Sequence, residues 1–204
     1  MSEITRWAIG VTAMGLAIVA TSAFAQERVR VRGTIEKVDG NVLTVKTREG
    51  QEVKVKLPDN ARVVGIQKTS IDDVKQGAYV GVSAMPQTDG SQKALHVHIF
   101  LDAMRGVAEG FGPWDVRPNS TMTNATVDSV VTGTDGRTLM VKYKDGEKKI
   151  IVPPDVPIVT FAAGDKADLK PGTKIFIGAA KKLPDGTLQA ARVNYGKDGL
   201  TPPM

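Results

Sequence analysis

Residues 52–57 read Glu-Val-Lys-Val-Lys-Leu, and their apolar side chains alternate strictly with charged ones. Successive side chains of a β-strand point to opposite faces, so a period of two predicts a strand with one buried face. Residues 80–84 and 175–179 repeat this alternation. Acid-glycine pairs stand between such runs, where glycine supplies the positive φ of a tight hairpin. These pairs are Asp39-Gly40, Glu49-Gly50, Asp89-Gly90, Asp135-Gly136, Asp145-Gly146 and Asp185-Gly186.

The chain also matches itself at a spacing of 96 residues. Leu43-Thr44-Val45-Lys46 aligns with Leu139-Met140-Val141-Lys142, and Pro58-Asp59 aligns with Pro154-Asp155. The matches join turn residues and apolar strand residues in the same order. The spacing therefore predicts a tandem repeat of one small β unit.

One segment of each unit interrupts the strand pattern, at residues 70–75 and 165–170. Each has a capping residue, an acid three positions later and a glycine soon after its end, which predicts a single helical turn. Three strands, a short helix and two more strands is the order of a small five-stranded barrel of the OB type. We therefore expect an all-β protein of two tandem OB-like barrels, with a β-sandwich as the alternative.

Residues 32–41, the alternating Val-Lys strands and residues 72–77 together resemble a family of exported bacterial domains of unknown function with an OB-like fold. The resemblance covers most of residues 28–100 and, more weakly, 123–195. It implies a fold and an export route, and no activity.

These patterns divide the chain into five segments. We assign a signal peptide, a first barrel domain, an ordered connector, a second barrel domain and a C-terminal tail. Their bounds are 1–25, 26–100, 101–122, 123–197 and 198–204.

The first segment has the three parts of a secretory signal peptide. Arg6 precedes an uncharged apolar run over residues 7–20, and Ala23-Phe24-Ala25 places small residues at the cleavage site. We expect cleavage after Ala25 and a periplasmic location. No later stretch has the length and apolarity of a transmembrane helix. The chain has no cysteine, which excludes disulfides and thiolate chemistry and suits a core large enough to fold without cross-links.

The formal net charge is +5, and Lys and Arg are interleaved with Asp and Glu along the whole chain. This distribution favours charges on solvated strand faces over a nucleic-acid surface. Strand faces are also poor in the aromatic residues on which single-stranded nucleic acid stacks. We expect no nucleic-acid partner.

His96-Val97-His98 contains both histidines of the chain, and on a strand their side chains share a face. Two imidazoles at this spacing permit a shared metal ion. Met85 and Met104 lie on either side in sequence, and thioether with imidazole suits copper or silver, while imidazole alone also suits zinc. A solvent-facing pair without metal is the interpretation that the spacing alone favours.

The connector reads Leu-Asp-Ala-Met-Arg-Gly-Val-Ala-Glu-Gly-Phe-Gly-Pro-Trp-Asp-Val-Arg-Pro-Asn-Ser-Thr-Met and has no counterpart within either unit. A loop of this length is usually functional or disordered, and a tryptophan in it is unusual for a plain linker. Docking of Phe111 and Trp114 between the domains is the alternative to ligand contact. The candidate ligand-binding residues are Arg105, Glu109, Trp114, Asp115 and Arg117.

No catalytic motif appears in the sequence, and we assign no catalytic residue. The leading hypothesis is a periplasmic, non-enzymatic binding or accessory module for an envelope protein or a small anionic ligand. A metal-binding protein that uses His96 and His98 is the first alternative. An envelope hydrolase with one of these histidines and Glu109 or Asp115 is the second.

Overall fold

The computed structural model describes residues 28–134 and 136–204. The predicted signal peptide lies outside these residues. Across the described part of the chain, regular structure is β-strand with short 3₁₀ turns only, so the all-β prediction is confirmed. The strands are β1 (Arg28–Asp39), β2 (Val42–Thr47), β3 (Glu52–Lys56), β4 (Arg62–Lys68), β5 (Tyr79–Pro86), β6 (Gln92–Ile99), β7 (Gly110–Pro113), β8 (Thr121–Gly133), β9 (Gly136–Tyr143), β10 (Gly146–Val152), β11 (Ile158–Ala163), β12 (Lys174–Lys182), β13 (Leu188–Gln189) and β14 (Arg192–Gly196).

Two sets of five strands each close on themselves through hydrogen bonds. Barrel 1 runs β1-β2-β3-β13-β12 and closes where β12 pairs with β1. Barrel 2 runs β5-β6-β10-β9-β8 and closes where β8 pairs with β5. Each barrel therefore takes three strands from one predicted unit and two from the other. The sequence boundaries at residues 100 and 123 do not coincide with the division between barrels.

This exchange of strands between the two units is associated with the pairing of β4 with β11. These two strands lie antiparallel, from Val159 opposite Lys68 to Ala163 opposite Val64. On their outer sides β14 pairs with β4 and β6 pairs with β11, both in parallel. The chain leaves barrel 1 through β4 and enters barrel 2 with β5, and it returns through β11 to β12.

Each barrel has its own apolar core, and a third cluster lies between the barrels. The alternating residues of the sequence supply the first two, for example Val45 and Val55 in barrel 1 and Val82 and Val141 in barrel 2. The third cluster, called here the inter-barrel core, takes side chains from the β4–β11 pair and from the outer faces of β5 and β12. Its buried members are Ile66, Tyr79, Phe100, Val159, Phe161, Phe176 and Met204.

The predicted helical turns are short 3₁₀ turns at Ile71–Asp73 and Lys166–Asp168. Ser70 caps the first turn and Asp165 the second, and in both an aspartate three positions later bonds back to the capping residue's backbone N–H. Further short turns lie at Asp102–Met104 and Lys197–Gly199. Within the described ranges no helix is long and apolar enough to cross a membrane.

The exchanged strands lead to a test of the fold. A fragment of residues 28–100 contains three strands of barrel 1 and two of barrel 2, so neither core can close within it. We expect this fragment to give no folded monomer, and equimolar mixing with residues 101–204 to restore structure. Light scattering and the dispersion of amide NMR signals measure both results. A well-dispersed monomeric spectrum from the fragment alone would contradict the exchange.

Candidate functional site

The connector adds a strand to barrel 2. β7 pairs antiparallel with the start of β8, so that Gly110 lies opposite Asn124 and Gly112 opposite Met122. The next strand, β5, places Gly81 opposite Asn124 and Ser83 opposite Met122. Four neighbouring strands, β7, β8, β5 and β6, thus share one outward face.

The two histidines lie on this outward face. His98 is opposite Gly81 and His96 is opposite Ser83. Their imidazoles stack at 5.9 Å between centroids and 17° between planes, which agrees with the shared face expected from the sequence. Only 1% of His96 and 5% of His98 is exposed, so the solvent-facing interpretation is wrong. The inter-barrel core covers this part of the sheet.

Small residues on β5 make room for the imidazoles. A Cβ atom on Gly81 would lie 2.3 Å from Cε1 of His98 and 2.6 Å from Oδ1 of Asn124, so no larger residue fits there. His98 also packs edge-on against Phe100 at 4.4 Å and Phe161 at 5.5 Å between centroids. The glycine and the aromatic side chains together hold the imidazole in one position.

Several polar atoms on this face are buried without a hydrogen-bond partner among the described residues. They are Nε2 of His96, Nδ1 of His98, Oδ1 of Asn124 and Nε1 of Trp114. The other nitrogen of His96, Nδ1, lies 2.6 Å from the Ser83 hydroxyl. Unsatisfied buried polar atoms cost about 1–3 kcal/mol each, so a cluster of them marks a place where water or a ligand is accommodated.

Both histidines are neutral at ordinary pH. Burial lowers the pKa of His96 to about 3, with the charges of His98 and Arg32 adding to the effect. Burial lowers the pKa of His98 to about 4, and the nearby Arg192 guanidinium acts in the same direction. Each neutral imidazole keeps one nitrogen lone pair for a hydrogen bond or a metal.

Trp114 and Asp115 dock the connector onto barrel 1. The Arg30 guanidinium lies 4.2 Å above the Trp114 ring centroid, and Arg32 donates to both carboxylate oxygens of Asp115 at 2.7 and 3.1 Å. Partial burial raises the pKa of Asp115, but the hydrogen bonds and charge of Arg32, with the charge of Arg30, bring the pKa below its usual value. Trp114 also packs against the inter-barrel core.

Three hydrogen bonds fix the loop before β7. The Tyr79 hydroxyl donates to the carbonyl of Val107 at 3.1 Å, the Asn124 amide donates to the carbonyl of Ala108 at 3.0 Å, and the backbone N–H of Lys144 donates to Glu109 at 3.0 Å. Burial, together with the Glu109 charge, raises the pKa of Tyr79 to about 12, so the phenol stays a donor. The loop is thereby tied to both β8 and the β9–β10 hairpin.

A groove of about 520 Å³ follows the whole of residues 108–114. We call it the connector groove. Its floor includes Gly110 and Gly112, and a Cβ atom on either glycine would meet nothing within 4 Å. The side chains that give the groove its chemistry are Arg30, Glu109, Phe111, Trp114, Tyr143 and Asp145.

The structure brings some of the candidate binding residues together. Glu109 and Trp114 line the connector groove, and Asp115 forms an ion pair at 3.4 Å with Arg30, which lines the groove as well. Arg105 is exposed and pairs with Asp102 at 3.2 Å, outside the groove. Arg117 is exposed and contributes its backbone to the turn closed by Ser120.

The candidate metal ligands are only partly assembled. The histidines lie together, but Met85 has Lys93 as its cross-strand partner, at the far end of β6. Met104 packs against the inter-barrel core. No group of three or more His, Cys, Asp or Glu side chains with metal-binding geometry occurs among the residues that the structure describes.

The sequence analysis missed the residues that β8 and the hairpin contribute. Asn124 and Tyr143 belong to strands assigned to the second unit, and Arg30 belongs to the first strand of the chain. The Gly-Phe-Gly spacing of residues 110–112 is the one local signal for the groove, because it leaves two adjacent same-face positions without side chains. Nothing in the sequence places Arg30 beside Trp114.

Comparison with known proteins gives no family assignment. No family model, no curated protein and no solved structure matches this chain.

The buried histidines make stability depend on pH in a predictable direction. In the unfolded chain both titrate near the ordinary pKa of 6.5, while in the folded chain the pKa values are about 3 and about 4. Protons therefore bind the unfolded chain better, and the free energy of unfolding falls as pH drops below about 6.5. Each histidine contributes a slope of about 1.4 kcal/mol per pH unit.

Urea unfolding between pH 7 and 4.5 measures this slope. Above pH 4.5 the contribution of the aspartates is small, because their pKa values are lowered from an already acidic 3.8. We expect His98→Asn to reduce the slope by about half. An unchanged slope in this variant would contradict the burial of His98.

Proposed function

We propose that this chain is an exported, periplasmic binding module that performs no catalysis and holds its ligand in the connector groove. The observation that carries the proposal is that three aromatic side chains, Phe111, Trp114 and Tyr143, line about 520 Å³ of open space that two glycines also border. Aromatic side chains with a few placed polar groups are the usual lining of a binding site. The ligand is an envelope protein or a small anionic molecule.

The groove also contains polar groups that a ligand can satisfy. Trp114 Nε1 and Asn124 Oδ1 line it or lie beneath it, and both are without a hydrogen-bond partner within the described residues. Arg30 and Lys148 add positive charge, since Lys148 Nζ lies 4.3 Å from the Phe111 ring centroid. The groove thus combines one hydrogen-bond donor, one acceptor and two positive charges with aromatic side chains. This combination favours ligand binding over catalysis.

The side chains that a hydrolase would use have other roles. Asp115 binds two arginines and Glu109 accepts from a backbone N–H. Ser83, which contacts His96, is completely buried on a strand. A nucleophile must reach its substrate, so this arrangement supports the binding module over the envelope hydrolase.

The proposal includes an origin for the two barrels. Three-stranded meanders β1–β3 and β8–β10 occupy corresponding places in the two barrels, and the capped turns at Ser70 and Asp165 have the same hydrogen bonds. These likenesses support two OB-like barrels that arose by tandem duplication, with the exchange of strand pairs between the copies.

Gly112→Leu tests the location of the site. The added side chain meets open space, so the fold is retained while the groove is filled. Calorimetric titration with small anions, envelope glycan fragments and periplasmic protein fractions first identifies a ligand. We expect Gly112→Leu to reduce its affinity at least about tenfold, and Trp114→Phe, which removes the indole N–H, to reduce it about fivefold.

Arg105→Ala is the matched control, because Arg105 belongs to the connector but lies outside the groove. Its affinity should equal that of the unmodified protein. A ligand whose affinity is unchanged by Gly112→Leu and lowered by Arg105→Ala would place the binding site elsewhere on the connector.

A metal-binding role is the second candidate, and one observation favours it. Nε2 of His96 and Nδ1 of His98 are both buried, neutral and without a partner in the described part of the chain. These two nitrogens suit copper(I), silver or zinc, although two ligands are fewer than a structural zinc site normally has. The cross-strand partner of Met85 is Lys93 and not a histidine.

Native mass spectrometry with added copper(I), silver or zinc tests this role. If it is correct, one ion binds per chain and is lost in the His96→Gln, His98→Asn double variant. Asparagine is a fair replacement for His98 because Asn194, the residue 96 positions later in the sequence repeat, is an asparagine that is also buried. Circular dichroism shows whether the double variant is folded. An ion that remains bound to the folded double variant would rule out the histidines as ligands.

A further inference from the structure

Barrel 2 has a gap in its strand pattern beside β7. β8 has two partners along one edge, β7 beside residues 121–124 and β9 beside residues 126–133. β10 pairs with β9 and so fills the next strand position there. Beside β7, that next position holds no strand among those that the structure describes. The connector groove runs along β7 beside this gap.

The edge of β7 that faces the gap carries backbone groups available for pairing. The Trp114 N–H donates to the Ser120 carbonyl at 2.7 Å. Hydrogen-bonding directions alternate along an antiparallel strand. The backbone N–H and C=O groups of Gly110 and Gly112 therefore also point toward β8. The N–H and C=O of Phe111 and the C=O of Pro113 therefore point into the gap, and the described residues supply no partner for them.

The gap has the dimensions and surroundings of one short strand. β7 is 4 residues long, which corresponds to about 13 Å of extended chain. The β9–β10 hairpin, with Tyr143 and Asp145, bounds one end, and Arg30 with Trp114 bounds the other. Gly110 and Gly112 leave one face open to a close backbone approach. Phe111 and Tyr143 offer apolar contact.

We propose that the ligand of the connector groove is an extended peptide segment, with apolar side chains at alternating positions, that pairs with the free edge of β7 as an added strand. This proposal rests on the proposed function and specifies its ligand. Strand addition obtains affinity from main-chain hydrogen bonds and selectivity from alternate side chains. The free backbone groups of Phe111 supply the main-chain hydrogen bonds, and the aromatic walls of the groove supply contacts for the alternate side chains.

Pro113 limits the exposed edge. A proline has no N–H, so the edge offers one donor and two acceptors, which permits a short added strand but disfavours longer edge-to-edge association. Pro113→Ala restores a second donor facing the gap. We expect this variant to bind the same peptide several-fold more tightly.

Amide hydrogen exchange gives the decisive measurement. The probes are dodecapeptides selected from a random library on the mature protein, with affinities measured by calorimetry. In the free protein the Phe111 amide should exchange rapidly and the Gly112 amide slowly. With peptide bound, the Phe111 amide should exchange at least about tenfold more slowly. N-methylation of the peptide residue opposite Phe111 should weaken binding about tenfold.

The outcomes separate this proposal from the one it rests on. Peptides that bind and are blocked by Gly112→Leu, but leave Phe111 exchange unchanged, overturn strand addition and retain the groove as the site. Selection that yields no peptide, while a small anion binds in the groove, also overturns it. Protection of Phe111 that rises with protein concentration alone assigns the gap to a second copy of the chain and overturns the peptide as occupant.

Discussion

The antiparallel pairing of β4 with β11 joins the two barrels, and the positions of the other strands depend on it. Five residue pairs, from Val159–Lys68 to Ala163–Val64, hold the two strands together. Since both strands then lead into the opposite barrel, β5 and β6 complete barrel 2 while β12 and β13 complete barrel 1. The barrels cannot separate without opening both cores, so they behave as one folding unit.

The same pairing creates the inter-barrel core and with it the environment of the histidines. An outer strand face would ordinarily meet water. Here Phe100 and Phe161 pack against His98, and Phe176 on β12 of barrel 1 lies opposite Asn194 on β14. In each of these two strand pairs a smaller residue lies opposite a larger one. The cross-strand pairs are Gly81 with His98 and Asn194 with Phe176. The large side chains fill the space between the barrels in complementary positions.

The connector runs from the inter-barrel core to the protein surface. Trp114 covers one side of the inter-barrel core, and Asp115 ties the connector to Arg32 of barrel 1. β7 then extends the barrel 2 sheet toward solvent and ends in the groove. Buried polar atoms of His96, His98 and Asn124 lie on the sheet face that continues from the groove floor. The inter-barrel core and the connector groove therefore lie on one continuous face of the barrel 2 sheet.

The sequence by itself determined the alternating strands, the capped turns and the shared face of His96 and His98, because these depend on the period of the side chains and on local backbone chemistry. Only the tertiary structure decided which strands close each barrel. The alternation of side chains indicates which face of residues 80–84 is buried. It does not indicate which strands that face packs against. It likewise could not reveal β7, whose Gly-Phe-Gly-Pro sequence has no strand signal and is held by β8. The burial of the histidines and the meeting of Arg30 with Trp114 depend on contacts between residues far apart in the chain, and local patterns do not specify those contacts.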